Sequence, residues 1–537
     1  MRRLDLPATL RSIRERQRHK HRMHRTMITP MLKSRLLAVA TLLLLSNACA
    51  TSSPPAGETG GSAAKSGSGG KGGSGGKGGA GGKGGSGGGG AVSGSGGGGT
   101  AAKSGSGASG GSGGSGGIGG TGGAGSGGSG GGAAGSGGPD LSAELFDPET
   151  IPVFEITLPQ ASITALGTAS DTYTHAGLKY KDTTLADVAI RIKGESSRRT
   201  LDQKAAFKIK LDEYVGNQTL LGMKRITLNN MLADATFMSE CLSYYFYRKA
   251  GLPAPRCNHA LVYVNGTLYG LYANIESEDK TFLKRWFSSN DGNLYEDAQV
   301  DFVSGDEKLF DLQTNEAKND RSDLTALISA IDSAQPATYL SDLDGILDTA
   351  HYLRFSAVEA AVNQWDGYSY TYFEPNNFRI YHDPTTGKFT FLPWGHDLAM
   401  KAFAVDEGTV GATSTPFIPL FTVPLYENKS GARDAGGRLF VGDRNADQRA
   451  VGGCLGSTSC KTEYAKVLRE IIALYDSANL DSLAAEMYTR IKSHVYEDER
   501  KEVSNNDFEA AYQKLMQHIA MRTQAMRDDM TAAGFTP

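Results

Sequence analysis

The chain has 537 residues and a formal charge of −3, from 55 Lys and Arg against 58 Asp and Glu. A nucleic-acid partner is not expected on this balance, because phosphate backbones call for a concentrated excess of cations. Part of the positive charge lies in the first 139 residues, so the remainder is more acidic than the total suggests.

Residues 1–49 read as a processing segment. Lys33 and Arg35 precede the apolar run Leu36–Leu45, and Ser46-Asn47-Ala48-Cys49 follows. A basic region, a short apolar run and small residues before a cysteine describe an export signal, and the run is too short for a permanent membrane span. The ending resembles a lipobox with Ser46 where Leu is usual, which makes Cys49 the expected lipidated residue and the chain a lipoprotein held to the cell envelope. Ordinary secretion is the alternative. The long basic stretch Arg2–Arg25 is compatible with translation starting at Met27 or Met31.

Residues 50–139 are almost entirely Gly, Ser, Ala, Thr and Lys. With almost nothing apolar to bury, such a segment cannot offset the entropy of ordering, and a flexible tether is expected. Residues 140–537 are long enough for one large domain or two closely packed lobes.

The first half of that region reads as β-rich. Val188, Ile190 and Ile192 alternate with Ala189, Arg191 and Lys193, and Phe207, Ile209 and Leu211 alternate with Lys208 and Lys210. This is the period of half-buried strands. Residues 234–250 read as a helix, with Asp234 as N-cap and Gly251 and Pro253 as its stop. Two apolar runs within 260–275 meet at Asn265-Gly266, a type I′ hairpin signal. The second half is mostly helical, with apolar spacing near 323–331, 352–363, 463–475, 483–495 and 508–530. One hairpin interrupts it: Phe378–Tyr381, a turn over 383–387, then Phe389–Leu392. Cys454 and Cys460 enclose a short polar loop that a disulfide could close, whereas Cys241 and Cys257 read as separate buried residues.

The chemistry-bearing residues cluster around that second hairpin. Asp366 follows a helix in Asn363-Gln364-Trp365-Asp366, Asn377 opens the first strand and Asp397 closes the second. A hairpin returns its ends to one neighbourhood, so Asn377 and Asp397 are expected side by side, as oxygen ligands suited to Mg²⁺. Asp366 is then placed to orient a substrate hydroxyl, which is one of the parts that phosphoryl transfer needs. Capping of helices and turns would account for the same residues. His396, alone between motif residues, reads as a local hydrogen-bonder.

Six separated segments, taken together, resemble the CotH kinase family over nearly all of residues 150–530. They are Lys193-Gly194-Glu195-Ser196-Ser197, Lys204 with Phe207-Lys208-Ile209-Lys210, and Leu228-Asn229-Asn230 with Asp234, Glu240 and Gly251-Leu252-Pro253-Ala254. The others are the Val264–Glu276 hairpin, Trp365-Asp366, and Pro393-Trp394 with Asp397. The resemblance implies an atypical, two-lobed, kinase-like α+β fold, with a β-rich N-lobe carrying one main helix (about 150–290) and a mostly helical C-lobe (about 291–537). It also implies ATP- and metal-dependent phosphorylation of Ser or Thr in exported or surface proteins, with Mg²⁺ or Mn²⁺ as the metal. Under it, Asp366 is the catalytic carboxylate, and Asp397 and Asn377 hold the metal, with Asn376 as an alternative to Asn377. Lys193, Ser196 and Ser197 cover the phosphates, Lys204 or Lys208 contacts them in partnership with Glu240, and Glu276 joins the nucleotide-binding set. The family's Pro-Trp-Asp-x-Asp has Gly395 in place of its first Asp here, and Ser369–Pro375 is an apparent insertion. A second reading follows from Gly395 and the tether: a catalytically weak, kinase-shaped module for surface binding, coat or adhesion. A cell-wall or carbohydrate enzyme rests on location alone, since no carboxylate pair points to glycosidase chemistry.

Overall fold

The computed structural model describes residues 140–195, 197–296, 299–371, 375–401, 417–421, 425–428, 431–434, 436–444 and 450–537. The export segment with Cys49, the tether and Ser196 lie outside the described residues.

Seven strands form a closed barrel in the order β1-β2-β3-β4-β5-β7-β6. They are β1 (Val153–Thr157), β2 (Thr174–Tyr180), β3 (Thr183–Lys193), β4 (Ala206–Lys210), β5 (Arg225–Asn229), β6 (Cys257–Val264) and β7 (Thr267–Ile275). The alternation read from sequence is the inside–outside alternation of this wall. Val188, Ile190, Ile192, Phe207, Ile209, Ile226 and Leu228 fill the interior, and side chains of this size are each worth roughly 1.5–3 kcal/mol on burial. Neighbouring strands pair antiparallel except β1 with β6, whose parallel pairing closes the barrel. The Asn265-Gly266 turn carries φ of 49° and 80°, as a type I′ turn requires.

The β-rich half is closed into a barrel and carries more than the one main helix expected: α1 (Gln160–Thr168), α2 (Ser239–Lys249) and α3 (Lys280–Trp286) accompany it. Helix α2 begins later than the expected 234. Phe237 takes a left-handed φ of 61°, and Asp234 spends its carboxylate bracing that turn. Its Oδ1 accepts from Thr236 N at 3.0 Å and its Oδ2 from Ser239 N at 2.8 Å. Leu242 and Phe246 of α2, with Met238 just before it, pack into the core of the helical half rather than into the barrel.

In that second half the hairpin is not isolated. Strands β8 (Asn293–Glu296), β9 (Asp311–Leu312), β10 (Phe378–Asp383) and β11 (Lys388–Pro393) form a four-stranded sheet in the order β11-β10-β8-β9. Around it stand α4 (Ser322–Ser333), α5 (Thr349–Ala361), α6 (Thr458–Ser477), α7 (Leu480–Glu497) and α8 (Asn505–Ala532). Helix α8 opens with a capping box between Ser504 and Asp507. No helix among the described residues is long and apolar enough to cross a membrane.

Cys454 and Cys460 are joined as a disulfide. Cys241 and Cys257 correct the sequence reading: they are also bonded to each other, across 16 residues, and tie the first turn of α2 to the start of β6. Helix α2 and the chain after it fold back onto the barrel, which brings the two thiols together. A loop of this length carries about 3 kcal/mol of cross-link stabilisation. Replacing Cys241 and Cys257 together by Ser is therefore expected to lower the melting temperature of the full chain by several degrees in calorimetry under oxidising conditions. A melting temperature equal to that of the parent would contradict this bond.

Candidate active site between the barrel wall and the second hairpin

Three residues of the outer barrel wall and α2 form a chain of contacts. Lys193, the last residue of β3, donates to Asn229 Oδ1 at the end of β5. Asn229 Nδ2 in turn donates to Glu240 Oε2 on α2 at 2.9 Å. Burial pushes the Glu240 carboxyl up to about 7, with the nearby Asp397 charge adding to the effect. Burial also lowers Lys193, against the attraction of Glu240 and Asp397.

The opposite side is built by the end of α5 and the hairpin. Glu359 on α5 accepts from the backbone N–H groups of Tyr368 and Ser369, each at 2.8 Å, and so folds the chain back after Asp366. Gly367 is required there, because a Cβ would lie 2.2 Å from the Glu359 carboxylate. Asn377 sits in the left-handed region with φ 54°, which Asn tolerates, immediately before β10. Asn376 Nδ2 and Asn377 Nδ2 both donate to the Asp366 carboxylate, at 3.1 and 2.7 Å. The expected insertion thus leaves both asparagines on Asp366. Burial, with the Asp397 charge adding to it, raises Asp366 to about 7 against the two amide donors. Asp397 is likewise raised, first by burial.

Gly395 adopts φ 60° and ψ 53°. A Cβ there would lie 2.2 Å from Asn377 Oδ1, so a side chain at 395 would displace the amide that holds Asp366. Lys401 backs the acidic group: its ammonium donates to Ala233 O at 2.7 Å and is attracted by Asp234, Asp397 and Asp366.

A cationic patch adjoins Lys193. The ammonium groups of Lys193 and Lys208 and the guanidinium of Arg379 lie 5.7, 5.8 and 4.0 Å from the Trp394 ring. Arg379 also bonds Glu278 at 2.8 Å and Glu296 at 3.0 Å. Burial lowers Lys208 to about 8. Burial acts upward on Glu296, yet Arg379 and Lys208 together hold it down at about 2.

Several sequence-predicted residues lie elsewhere. Lys204 is buried on Asp498, with Nζ to Oδ2 at 2.6 Å, so Lys193 takes the place expected for Lys204 or Lys208 opposite Glu240. Glu276 is committed to Arg256, at 3.0 Å, and to Arg285. The turn after β3 is braced rather than open: Arg198 Nε donates to Gly194 O at 2.9 Å and Asn230 Nδ2 to Ser197 O at 3.0 Å. His396 makes no hydrogen bond at either ring nitrogen. It is buried between the rings of Tyr244 and Tyr247, 5.4 and 5.1 Å away, and burial lowers its pKa to about 3. It packs as a neutral aromatic rather than as a hydrogen-bonder. Tyr244, Arg379, Glu296 and Lys401 were not singled out from sequence. Arg379 alone had a visible signal, a charge within an apolar strand beside Asn377.

Asp397 lies near enough for its charge to act on Asp366, which Asn377 bonds at 2.7 Å, and two carboxylates with a carboxamide are donors of the kind a hard divalent cation takes. Among the described residues no group of three or more His, Cys, Asp or Glu gathers around one position.

The model of the family described as CotH kinase protein matches residues 190–526, and the chain belongs to that family. Inner spore coat protein H of Bacillus subtilis (strain 168) is 26% identical over 191 residues, which is 34% of this chain and 51% of that protein. The inner spore coat protein H-like protein of the same organism is 30% identical over 81 residues, 15% of this chain and 25% of its own. The chain therefore spans about half the length, or less, of these curated relatives. The crystal structure of the Helicobacter pylori proinflammatory kinase CtkA aligns over 68% of this chain and 93% of its own, at 10% identity and a TM-score of 0.28. That score is too low to bear on the fold.

Proposed function

We propose that the chain is a metal-dependent, atypical protein kinase that transfers the γ-phosphate of ATP to Ser or Thr hydroxyls of exported or surface proteins. The observation that carries this reading is the nearness of Asp397 to both groups: its charge acts on Asp366, which Asn377 bonds, and on Lys193 and Glu240 of the Lys193–Asn229–Glu240 chain. A strand lysine answered by a helix glutamate, facing a carboxylate pair with an adjacent Asn, is the set of parts that phosphoryl transfer uses.

In this mechanism Lys193 neutralises phosphate oxygens, and Glu240 holds it in place through Asn229. Lys208, beside Trp394, supplies a second cation. Asp366 accepts the proton of the acceptor hydroxyl as that oxygen bonds to the γ-phosphorus. The bond from phosphorus to the β–γ bridging oxygen breaks, and ADP leaves with the electron pair. Asp397 and Asn377 would hold Mg²⁺ or Mn²⁺, which supplies charge neutralisation on the phosphates; such ions complete their shell with water and phosphate oxygens. The lipobox-like segment at Cys49 supports export and lipid anchoring, and the spore coat names of two relatives support a surface location.

Gly395 favours a second reading, in which the domain is a catalytically weak, kinase-shaped module for surface binding, coat or adhesion. Calorimetric titration of ATP with Mg²⁺ or Mn²⁺ into the full chain separates the two. The kinase reading expects metal-dependent binding in the parent and its loss, by tenfold or more in affinity, in Asp397→Ala. Absence of binding with either metal would refute it and leave the second reading.

A further inference from the structure

Residue 395 is Gly, so the turn that carries Asp397 is held by its backbone and not by a side chain at that position. The backbone of Gly395 is held from both sides. Its carbonyl accepts from Gln364 Nε2 at 3.2 Å, and its N–H donates to the phenol oxygen of Tyr244 at 3.0 Å. The same phenol donates its own proton to Glu240 Oε1 at 3.1 Å. Tyr244 is fully buried, and one hydroxyl therefore links helix α2, at the glutamate that faces Lys193, to the turn that presents Asp397.

Resting on the kinase reading, we propose that Tyr244 is a positioning residue. Its hydroxyl fixes the Asp397 turn in register with the Lys193–Glu240 arrangement, and the metal-dependent part of nucleotide binding passes through it. Both partners are groups that must not be left unsatisfied. A buried N–H or carboxylate that loses its bond forfeits about 1–3 kcal/mol, a loss that a shift of the turn would relieve. The turn at Gly395 to Leu398 has no side-chain cap of its own, so nothing else at that peptide N–H replaces the phenol. Lys401, near the turn's other end, donates to Ala233 O at 2.7 Å and to Asp397 O at 3.5 Å, so it braces the backbone at 397 but not the N–H of Gly395.

Tyr247 provides a matched comparison. Three residues further along α2, it lies on the same helix face and also packs its ring on His396, at 5.1 Å. Its hydroxyl, however, is buried without a hydrogen-bond partner. Tyr244→Phe and Tyr247→Phe therefore delete the same atom from the same packing environment, and only the first deletes the link.

The test is calorimetric binding of ATP to the full chain, with Mn²⁺ and with EDTA, for the parent, Tyr244→Phe and Tyr247→Phe, with melting temperatures measured alongside. The parent is expected to bind more tightly with Mn²⁺. In Tyr244→Phe that metal-dependent gain is expected to fall about tenfold or more, while Tyr247→Phe keeps it and the two variants melt within a few degrees of each other. A Tyr244→Phe variant that keeps the full gain overturns the proposal. So does a Tyr247→Phe variant that loses as much, because the effect would then belong to packing. A parent without any Mn²⁺-dependent binding overturns the kinase reading itself and the proposal with it.

Discussion

Asp366→Asn in the full chain is expected to slow phosphoryl transfer by about 10²–10⁴-fold, the usual worth of a positioned proton acceptor, while ATP binding changes little. The replacement keeps the volume and can still accept from one of the two amides that now donate to Asp366, from Asn376 at 3.1 Å and Asn377 at 2.7 Å. What it removes is the ability to take a proton. Burial and the neighbouring Asp397 place the Asp366 carboxyl at about 7 rather than in the ordinary carboxylate range. A base must be ionised to act, so activity of the parent is expected to fall as pH drops through about 7. A divalent cation beside Asp366 would move that limb lower by favouring the charged form. Measuring label transfer from ATP to an acceptor protein against pH, for the parent and Asp366→Asn, checks both statements. Transfer by the variant within tenfold of the parent would remove Asp366 from the role of base.

The strands were legible in sequence because a barrel wall has one wet and one dry face. Arg191, Lys193, Lys208 and Lys210 fall on the outer face by simple alternation with Ile190, Ile192, Phe207 and Ile209. Closure of the barrel was not legible, since it depends on the parallel pairing of β1 with β6, two segments about a hundred residues apart with two helices and four strands between them. The hairpin argument brought Asn377 and Asp397 to one neighbourhood, while the bond from Asn377 to Asp366 depends on the chain folding back after α5. The choice among lysines did not, because a lysine on a strand says nothing about what approaches from a distant part of the chain. Lys204 is claimed by Asp498, 294 residues away, and Glu276 by Arg256 and Arg285. The pairing of Cys241 with Cys257 was hidden for the same reason, and so was Tyr244, an ordinary aromatic of a helix face until its two partners are seen.

The loss of Lys204 from the candidate site has a measurable counterpart in stability. Its ammonium lies against Asp498 beside the rings of Phe237 and Tyr272, 5.1 and 5.2 Å away. Asp498 follows the end of α7, and its Oδ2 also accepts from Leu271 N on β7 at 3.1 Å. It can come this close only because residue 270 is Gly, since a Cβ there would lie 2.2 Å from the carboxylate. The pair thus fastens the C-terminal helices to the barrel. Removing one partner from a buried pair leaves the other charge uncompensated, at a cost of about 3–5 kcal/mol. An exposed pair such as Lys179–Glu155, with both side chains about half exposed, is worth about 0–1 kcal/mol. Asp498→Asn is therefore expected to destabilise the full chain by about 3–5 kcal/mol at pH 7, and Lys179→Ala by less than about 1. The deficit has a definite sign in pH. Burial already lowers Lys204 below its ordinary value, and without Asp498 the native state favours the neutral amine still more. The unfolded chain then binds more protons than the native one, so stability relative to the parent is expected to recover as pH rises toward about 10. The double variant Lys204→Met with Asp498→Leu, which buries no charge, should lose less than Asp498→Asn at pH 7. Denaturant unfolding of the three variants at pH 7 and 9.5 tests the argument. A pH-independent deficit in Asp498→Asn would show that Lys204 is not the group left uncompensated.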